Sequence, residues 1–277
     1  MLSIVDIKKE LGKNIYIYPI HSESIKANSI DLHASRFAWS VKTKKMLQVR
    51  NDKHLVIPAN DTALIYTEEA IYVSNKIGGS YHSKVMYVSA GLGHIGTTLD
   101  AGYMGLSLIA IHNHNNHDFC LEIGHELVTI HFHYLHTAGY DNAQPNNNFP
   151  GHPRLLNKYE TDDYESWIDQ NTWCTNSLQL YTKMFNSSEF SDLKKTFELE
   201  KKKFSRYKIL YSIKNIIISL VLLLMASFLV AIPAYLIDVE SINLFWSKLC
   251  EIILYPAFSA IFASVVVHEV FKYRHDK

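Results

Sequence analysis

Between Gly79 and Asn113 the sequence gathers the groups with most chemistry to offer. Lys84 follows Ser83 in a hydroxyl-rich turn, with Ser89 and the pair Gly91-Leu92 a few positions on. A cation with hydroxyl donors beside it can hold an anionic group. The run Asp100-Ala101-Gly102-Tyr103-Met104-Gly105 then reads as a tight turn that presents the Asp100 carboxylate, with Gly102 and Gly105 free to adopt positive φ or to let a backbone approach closely. An isolated Asp-Gly turn is more often a plain link between two strands, and on these residues alone both readings stand.

Two other groups bear on metal chemistry. His112, His114 and His117 alternate with Asn113, Asn115 and Asn116, and His131 and His133 share one face of a later strand. Imidazole clusters are common metal ligands. Asn, however, suits the positive-φ positions of a hairpin turn, so these histidines are taken as structural or exposed and no metal site is assigned. The three cysteines, Cys120, Cys174 and Cys250, have no C-x-x-C spacing and form no disulfide framework. A zinc-activated deaminase needs a P-C-x-x-C pair and an H-x-E segment, and neither occurs here.

The elements that must position these groups are mostly strands. Ser3 to Leu11 has Ile4, Ile7 and Leu11 at helical spacing, with Ser3 as N-cap and Gly12 beyond the end. Strands are expected at 14–20, 30–39, 54–57, 63–67, 70–73, 106–112 and 126–135, separated by short turns. Such spacing indicates an all-β barrel or double sheet. Residues 137–186 read as a loop-rich extension and 187–212 as a helical linker. Phe190, Leu193, Phe197, Phe204, Tyr207 and Tyr211 lie on a near-heptad stripe of that linker, which either forms an intermolecular stalk or packs on the barrel.

In order along the chain, four short motifs are similar to those of the dCTP deaminase and dUTPase superfamily. Ile25 to Leu32 is similar to the family's I-Q-P-S-S-x-D-L segment, and Ser83 to Leu92 resembles its phosphate loop, G-K-S-S-L-A-R-L-G-L. Leu99 to Gly105 resembles its base-and-sugar turn, I-D-P-G-[YFW]-x-G, and Ile123 to Ile130 resembles the strand after its final hairpin. The resemblance covers about residues 1–135. It implies a mainly β, dUTPase-like β-barrel (β-clip) domain over 1–136, assembled as a homotrimer with pockets shared between subunits. It also implies a nucleotide-like ligand contacted by Ser83, Lys84, Ser89, Gly91, Asp100, Gly102 and Tyr103, with magnesium accompanying that ligand if it is a nucleoside triphosphate. Enzymes of this family close a C-terminal segment over the nucleotide, a role open to 137–153 or to 154–159. The family's deaminase Glu falls at Ala110, which has no acid or base to supply. The phosphate-binding Ser and Arg become Val85, Met86 and Ser89, whereas Asp100 matches the residue that orients water in dUTPases.

Charge is balanced, with 27 basic and 27 acidic residues, so no global field points to a nucleic-acid polymer. Asp6, Lys8, Lys9 and Glu10 near the start argue against a cleaved signal peptide. Asn215 to Ile237 carries no charge, and as a helix it would be about 34 Å long, enough to cross a bilayer core of about 30 Å. A second apolar segment, 249–271, makes a two-helix transmembrane hairpin of 213–277. Basic residues precede the first span and follow the second, which by the positive-inside rule places both ends of the chain at the cytoplasmic side of an inner membrane, in contact with its lipid.

Three functions are compatible with this reading. The domain is a catalytically degenerate nucleotide-type sensor whose membrane hairpin is the output, similar by architecture alone to bacterial anti-phage effectors that permeabilise the inner membrane. Alternatively it is a membrane-tethered dUTP or dCTP pyrophosphatase or deaminase using Asp100. The third reading is a structural membrane protein that uses the barrel only to trimerise.

Overall fold

The structure, a computed structural model, describes residues 1–94, 96–139 and 158–236, and Lys248 besides. Side chains are described as far as Val221, apart from those of His94, Phe204, Lys208 and Leu220. The chain divides into two compact units, Met1–Glu200 and Lys201–Lys277.

Helix α1 (Ile4–Glu10) starts where expected because Ser3 and Asp6 form a capping box, each side chain bonding the other's backbone N–H. It buries Ile7 and leads to buried Leu11. Eleven strands follow in order: β1 (Ile15–Tyr18), β2 (Ile30–Ser40), β3 (Val49–Arg50), β4 (His54–Ile57), β5 (Thr62–Val73), β6 (Ile77–Ser83), β7 (Leu92–His94), β8 (Thr98–Leu99), β9 (Met104–Asn113), β10 (Phe119–Glu122) and β11 (Glu126–Tyr134). A five-residue helix, α2 (Val85–Ser89), lies between β6 and β7.

Eight strands form one curled antiparallel sheet in the order β7-β9-β5-β2-β11-β6-β8, with β1 also on β5, and β10-β4-β3 form a small second sheet. The two longest strands make the curl. β2 pairs with β11 through Ile30 to His33 and with β5 at Ala34 and from Ala38 to Ser40, and the register slips between Ala34 and Ala38. β5 slips against β9 between Tyr66 and Ala70. Bulges of this kind bend a strand and re-aim its side chains. At the second slip the Thr67 hydroxyl donates to the Glu69 carbonyl at 2.8 Å and accepts from the Ser107 N–H at 3.0 Å. Glu69 is turned into the interior, where 2% of its surface is exposed. Inside the curl, Ile7, Ile17, Leu32, Ile65, Ile109, Ile130 and Phe132 belong to the main core.

The segment read as loop-rich contains two helices among its described residues, α3 (Asp162–Gln170) and α4 (Ser177–Phe185). Asp162, Asp163 and Glu165 place negative charge in the first turn of α3, where the helix dipole favours it. Asn176 caps α4 by accepting from the N–H groups of Leu178 and Gln179. Tyr164, Cys174 and Leu180 from this segment bury against Phe37, Trp39 and Tyr66 in a second core cluster. Tyr164 stacks on Tyr66 with ring centroids 4.6 Å apart. The expected loop at 140–153 and most of the proposed closing segment 154–159 lie outside the described residues.

Helix α5 runs from Ser188 to Leu236. Its stripe divides in two. Phe190 and Leu193 are buried in the main core, while Tyr207 and Tyr211 are exposed. Lys194 donates to the carbonyls of Leu11 (2.8 Å) and Lys8 (3.5 Å), satisfying acceptors that the end of α1 leaves free. The first turns of the linker therefore belong to the β unit. Among the described residues no helix is long and apolar enough to cross a membrane. Side chains beyond Val221 are outside that set, as is the expected second span at 249–271 apart from its flanking residue Lys248, so the hairpin rests on sequence alone.

Candidate functional site

The lysine turn lies where β6 ends beside β11. Ser83 pairs with Val128, and Leu32 of β2 pairs with the same residue from the other side. Lys84 is thereby brought against two carboxylates, with its Nζ 2.6 Å from Asp31 Oδ2 and 2.7 Å from Glu126 Oε2. Lys26 joins the cluster at 3.4 Å from Asp31 and 3.2 Å from Glu126. The Thr129 hydroxyl donates to the other oxygen of Asp31 at 2.6 Å. Asp31 is 2% exposed, so these cations compensate a buried charge. Partial burial pushes the Glu126 carboxyl up, but the hydrogen bonds and charges of Lys84 and Lys26 outweigh it and hold the group at about 2.

After Lys84 the chain turns into α2, which the sequence read as loop. Gly91 closes it with φ of +83°, and a side chain there would meet Asn115, whose oxygen would lie 2.6 Å from the added carbon. Ser89 spends its hydroxyl on the Met86 carbonyl at 2.9 Å. Val85, Met86 and Val88 are exposed, while Tyr87 is buried. Ser83 and Lys84 line a cavity of about 10 Å³ with Tyr87, Val88 and Leu127. That volume is enough for about one water.

The Asp100 turn is a separate feature. Tyr103 N–H donates to the Asp100 carbonyl at 3.1 Å, and Gly102 has φ of +79°, the value a type II turn requires at its third position. Asp100 stands exposed, and Thr98 Oγ1 donates to its Oδ1 at 3.3 Å. Tyr103 points the other way, its hydroxyl donating to the Leu106 carbonyl at 2.7 Å, and burial pushes that phenol well above its usual range. Neither Asp100 nor Tyr103 lines the cavity beside Lys84. Ala110 pairs with Leu64 across β9 and β5.

Of the histidines noted in sequence, His112 bonds Thr62 through Nδ1 at 2.9 Å, and its ring packs edge-on to His114 with centroids 4.3 Å apart. His117 Nδ1 lies 3.1 Å from the Asn116 side-chain oxygen. Sequence reasoning missed a different set, His33 with Glu69, and Asp31 with Glu126. His33 Nδ1 meets a Glu69 carboxylate oxygen, and the His33 N–H donates to the other oxygen at 2.9 Å. Burial pulls the imidazole down, but the bond and charge of Glu69, with Glu68 and Glu126 behind it, outweigh that and raise it. Asp31 and His33 sit two apart on one strand, a usable signal. Glu69 became a partner only through the bulge in β5.

The curled antiparallel sheet, with its lysine and Asp-Gly turns, defines a mainly β domain. Residues 1–135 match the family model described as dCTP deaminase-like. A dCTP deaminase of Pyrococcus furiosus is 27% identical over 146 residues, covering 53% of this chain and 91% of the relative. The crystal structure of the 2'-deoxycytidine 5'-triphosphate deaminase from Agrobacterium tumefaciens has 13% identity and a TM-score of 0.41, covering 50% of this chain and 49% of that one. The dUTPase of EIAV has 19% identity and a TM-score of 0.34, covering 48% and 98%.

Proposed function

We propose that this dCTP deaminase-like domain binds a nucleotide-type ligand without performing the family chemistry, and that it reports occupancy through the apolar C-terminal segments. The Lys84 ammonium, held between Asp31 and Glu126, carries the reading. A triphosphate would have to break two short ion pairs to reach it, and the positions after it, Val85 and Met86, offer no side-chain donors. Ligand recognition then rests on the Asp100 to Tyr103 turn, which reads base and sugar. The exposed apolar side chains of α2 suit contact with a second copy in a trimer whose subunits complete each other's pockets.

The test is a binding series on the full chain in detergent, using dCTP, dCMP, deoxycytidine and the corresponding uracil compounds. Affinity is expected to change less than about tenfold as phosphates are removed, because no cation meets them. Lys84→Met should lower stability by about 2–4 kcal/mol, since Asp31 loses a counter-charge, while ligand affinity stays within about twofold. A hundredfold loss of affinity on removing the phosphates, or on Lys84→Met in protein that remains folded, would contradict the closed loop.

The output side rests on Asn215 to Ile237, which is uncharged and continuous in sequence with α5 as far as Leu236. Inserting Gly-Gly-Ser after Glu200 is expected to abolish ligand-dependent depolarisation of the inner membrane while leaving binding intact. A second reading, a tethered hydrolase, is favoured by the exposure of Asp100. In that case Asp100→Asn abolishes turnover.

A further inference from the structure

Three residues outside the nucleotide turns and the lysine cluster converge from the β1–β2 link, β2 and β5. His21 precedes a short 3-10 turn, Ser22–Ser24, on the way from β1 to β2, His33 lies on β2, and Glu69 lies at the bulge in β5. Each offers one ligand atom, and these atoms all lie within 4.8 Å of one another. The two imidazole rings stand edge to face with centroids 4.7 Å apart. Glu69 and His33 are held in place from both sides, by the His33 N–H on the carboxylate and by Ser24 Oγ, 3.3 Å from His33 Nε2.

His21 supplies the observation that calls for an explanation. Its Nε2 is buried and has no hydrogen-bond partner among the described residues. Its Nδ1 lies 4.0 Å from a carboxylate oxygen of Glu189 at the start of α5. That is beyond hydrogen-bond distance, but a carboxylate on the Nδ1 side is placed where an outer partner orients an imidazole that binds a metal through Nε2. A buried ring nitrogen left without a partner is otherwise destabilising.

We propose that His21, His33 and Glu69 form a site for one divalent transition-metal ion of the zinc type. Two imidazoles and a carboxylate make a three-ligand set that leaves a fourth position open, and the two nitrogen donors select zinc-like ions over magnesium or calcium. Ligand atoms around tetrahedral zinc stand about 3.3 Å apart, so closure needs movements of about 1 Å. His21, at the edge of the cluster with 27% of its side chain exposed, closes from its own side, while His33 Nδ1 and the Glu69 oxygen it meets part to admit the ion. The ion ties the β1–β2 link to two core strands, with Glu189 of α5 behind His21. The proposal is independent of the nucleotide reading.

The experiment strips the full-length protein with a chelator and titrates it with Zn²⁺ in competition with a chromophoric chelator, following the melting temperature in parallel. Wild type is expected to take up one tight equivalent per chain and to melt higher when loaded. His21→Ala should lose at least about 100-fold in affinity, and so should Glu69→Gln, while a variant with both His114→Ala and His117→Ala keeps the equivalent. His21→Ala should also melt like wild type in metal-free buffer, which separates ligand loss from misfolding if Glu69→Gln proves unstable. Two results overturn the proposal: no tight equivalent in wild type, or an equivalent that survives His21→Ala unchanged.

Discussion

Lys84 and Asp100 were conspicuous in sequence because a cation in a hydroxyl-rich turn and an Asp-Gly turn are local patterns. Their partners were not, because Asp31, 53 residues before Lys84, and Glu126, 42 residues after it, reach it only through strand pairing. Glu126 gives this charge cluster a pH signature. Its folded pKa is depressed to about 2 from a reference of 4.5. The stabilisation is therefore fully present above about pH 4.5 and is lost as pH falls through about 2. Glu126→Gln is expected to cost about 1–2 kcal/mol at pH 7 once solvent screening is allowed for. In urea melts from pH 7 to pH 3 the gap between variant and wild type should narrow as the pH drops. A gap that stays constant would show that Glu126 acts through packing and not through its charge.

At the scale of elements, the strands and α1 were legible because period-two alternation and a Ser-x-x-Asp cap are written in adjacent residues. Three helices were less so. α2 is built from β-branched and aromatic residues that favour strands, and it exists because Lys84 and Gly91 bound a single turn and a half. α3 and α4 owe their place to scattered aromatics that find Phe37, Trp39 and Tyr66 only in the folded sheet. The start of α5 presented a stripe whose partner the sequence left open. Phe190 resolves it, being 3% exposed, with its ring 3.0 Å from where a side chain on Gly12 would begin. Phe190→Ala is expected to cost about 3–5 kcal/mol and to lower the melting temperature of the β unit. A loss under about 1 kcal/mol would mean that α5 is a freely projecting stalk.

For the whole molecule, the sequence placed the end of the β domain near residue 136, whereas the compact unit extends to Glu200. The difference arises because Met184, Phe190 and Leu193 complete the core from far along the chain. A fragment of residues 1–200 should therefore fold with a single cooperative melt, and one ending at Tyr181 should melt markedly lower or aggregate. Equal melting of the two would show that the helical extension adds nothing to the core. The same unit carries the functional proposal, in which Ala110 on β9 and the ion pairs of Lys84 leave the domain without the acid–base group and the free cation that the family chemistry would use. The direct measurement is release of ammonia or pyrophosphate from dCTP and dUTP by the purified full chain, under conditions where calorimetry shows the nucleotide bound. The expected result is binding without turnover. Turnover at or above about 1 per second, abolished by Asp100→Asn, would contradict it and make the protein a working hydrolase.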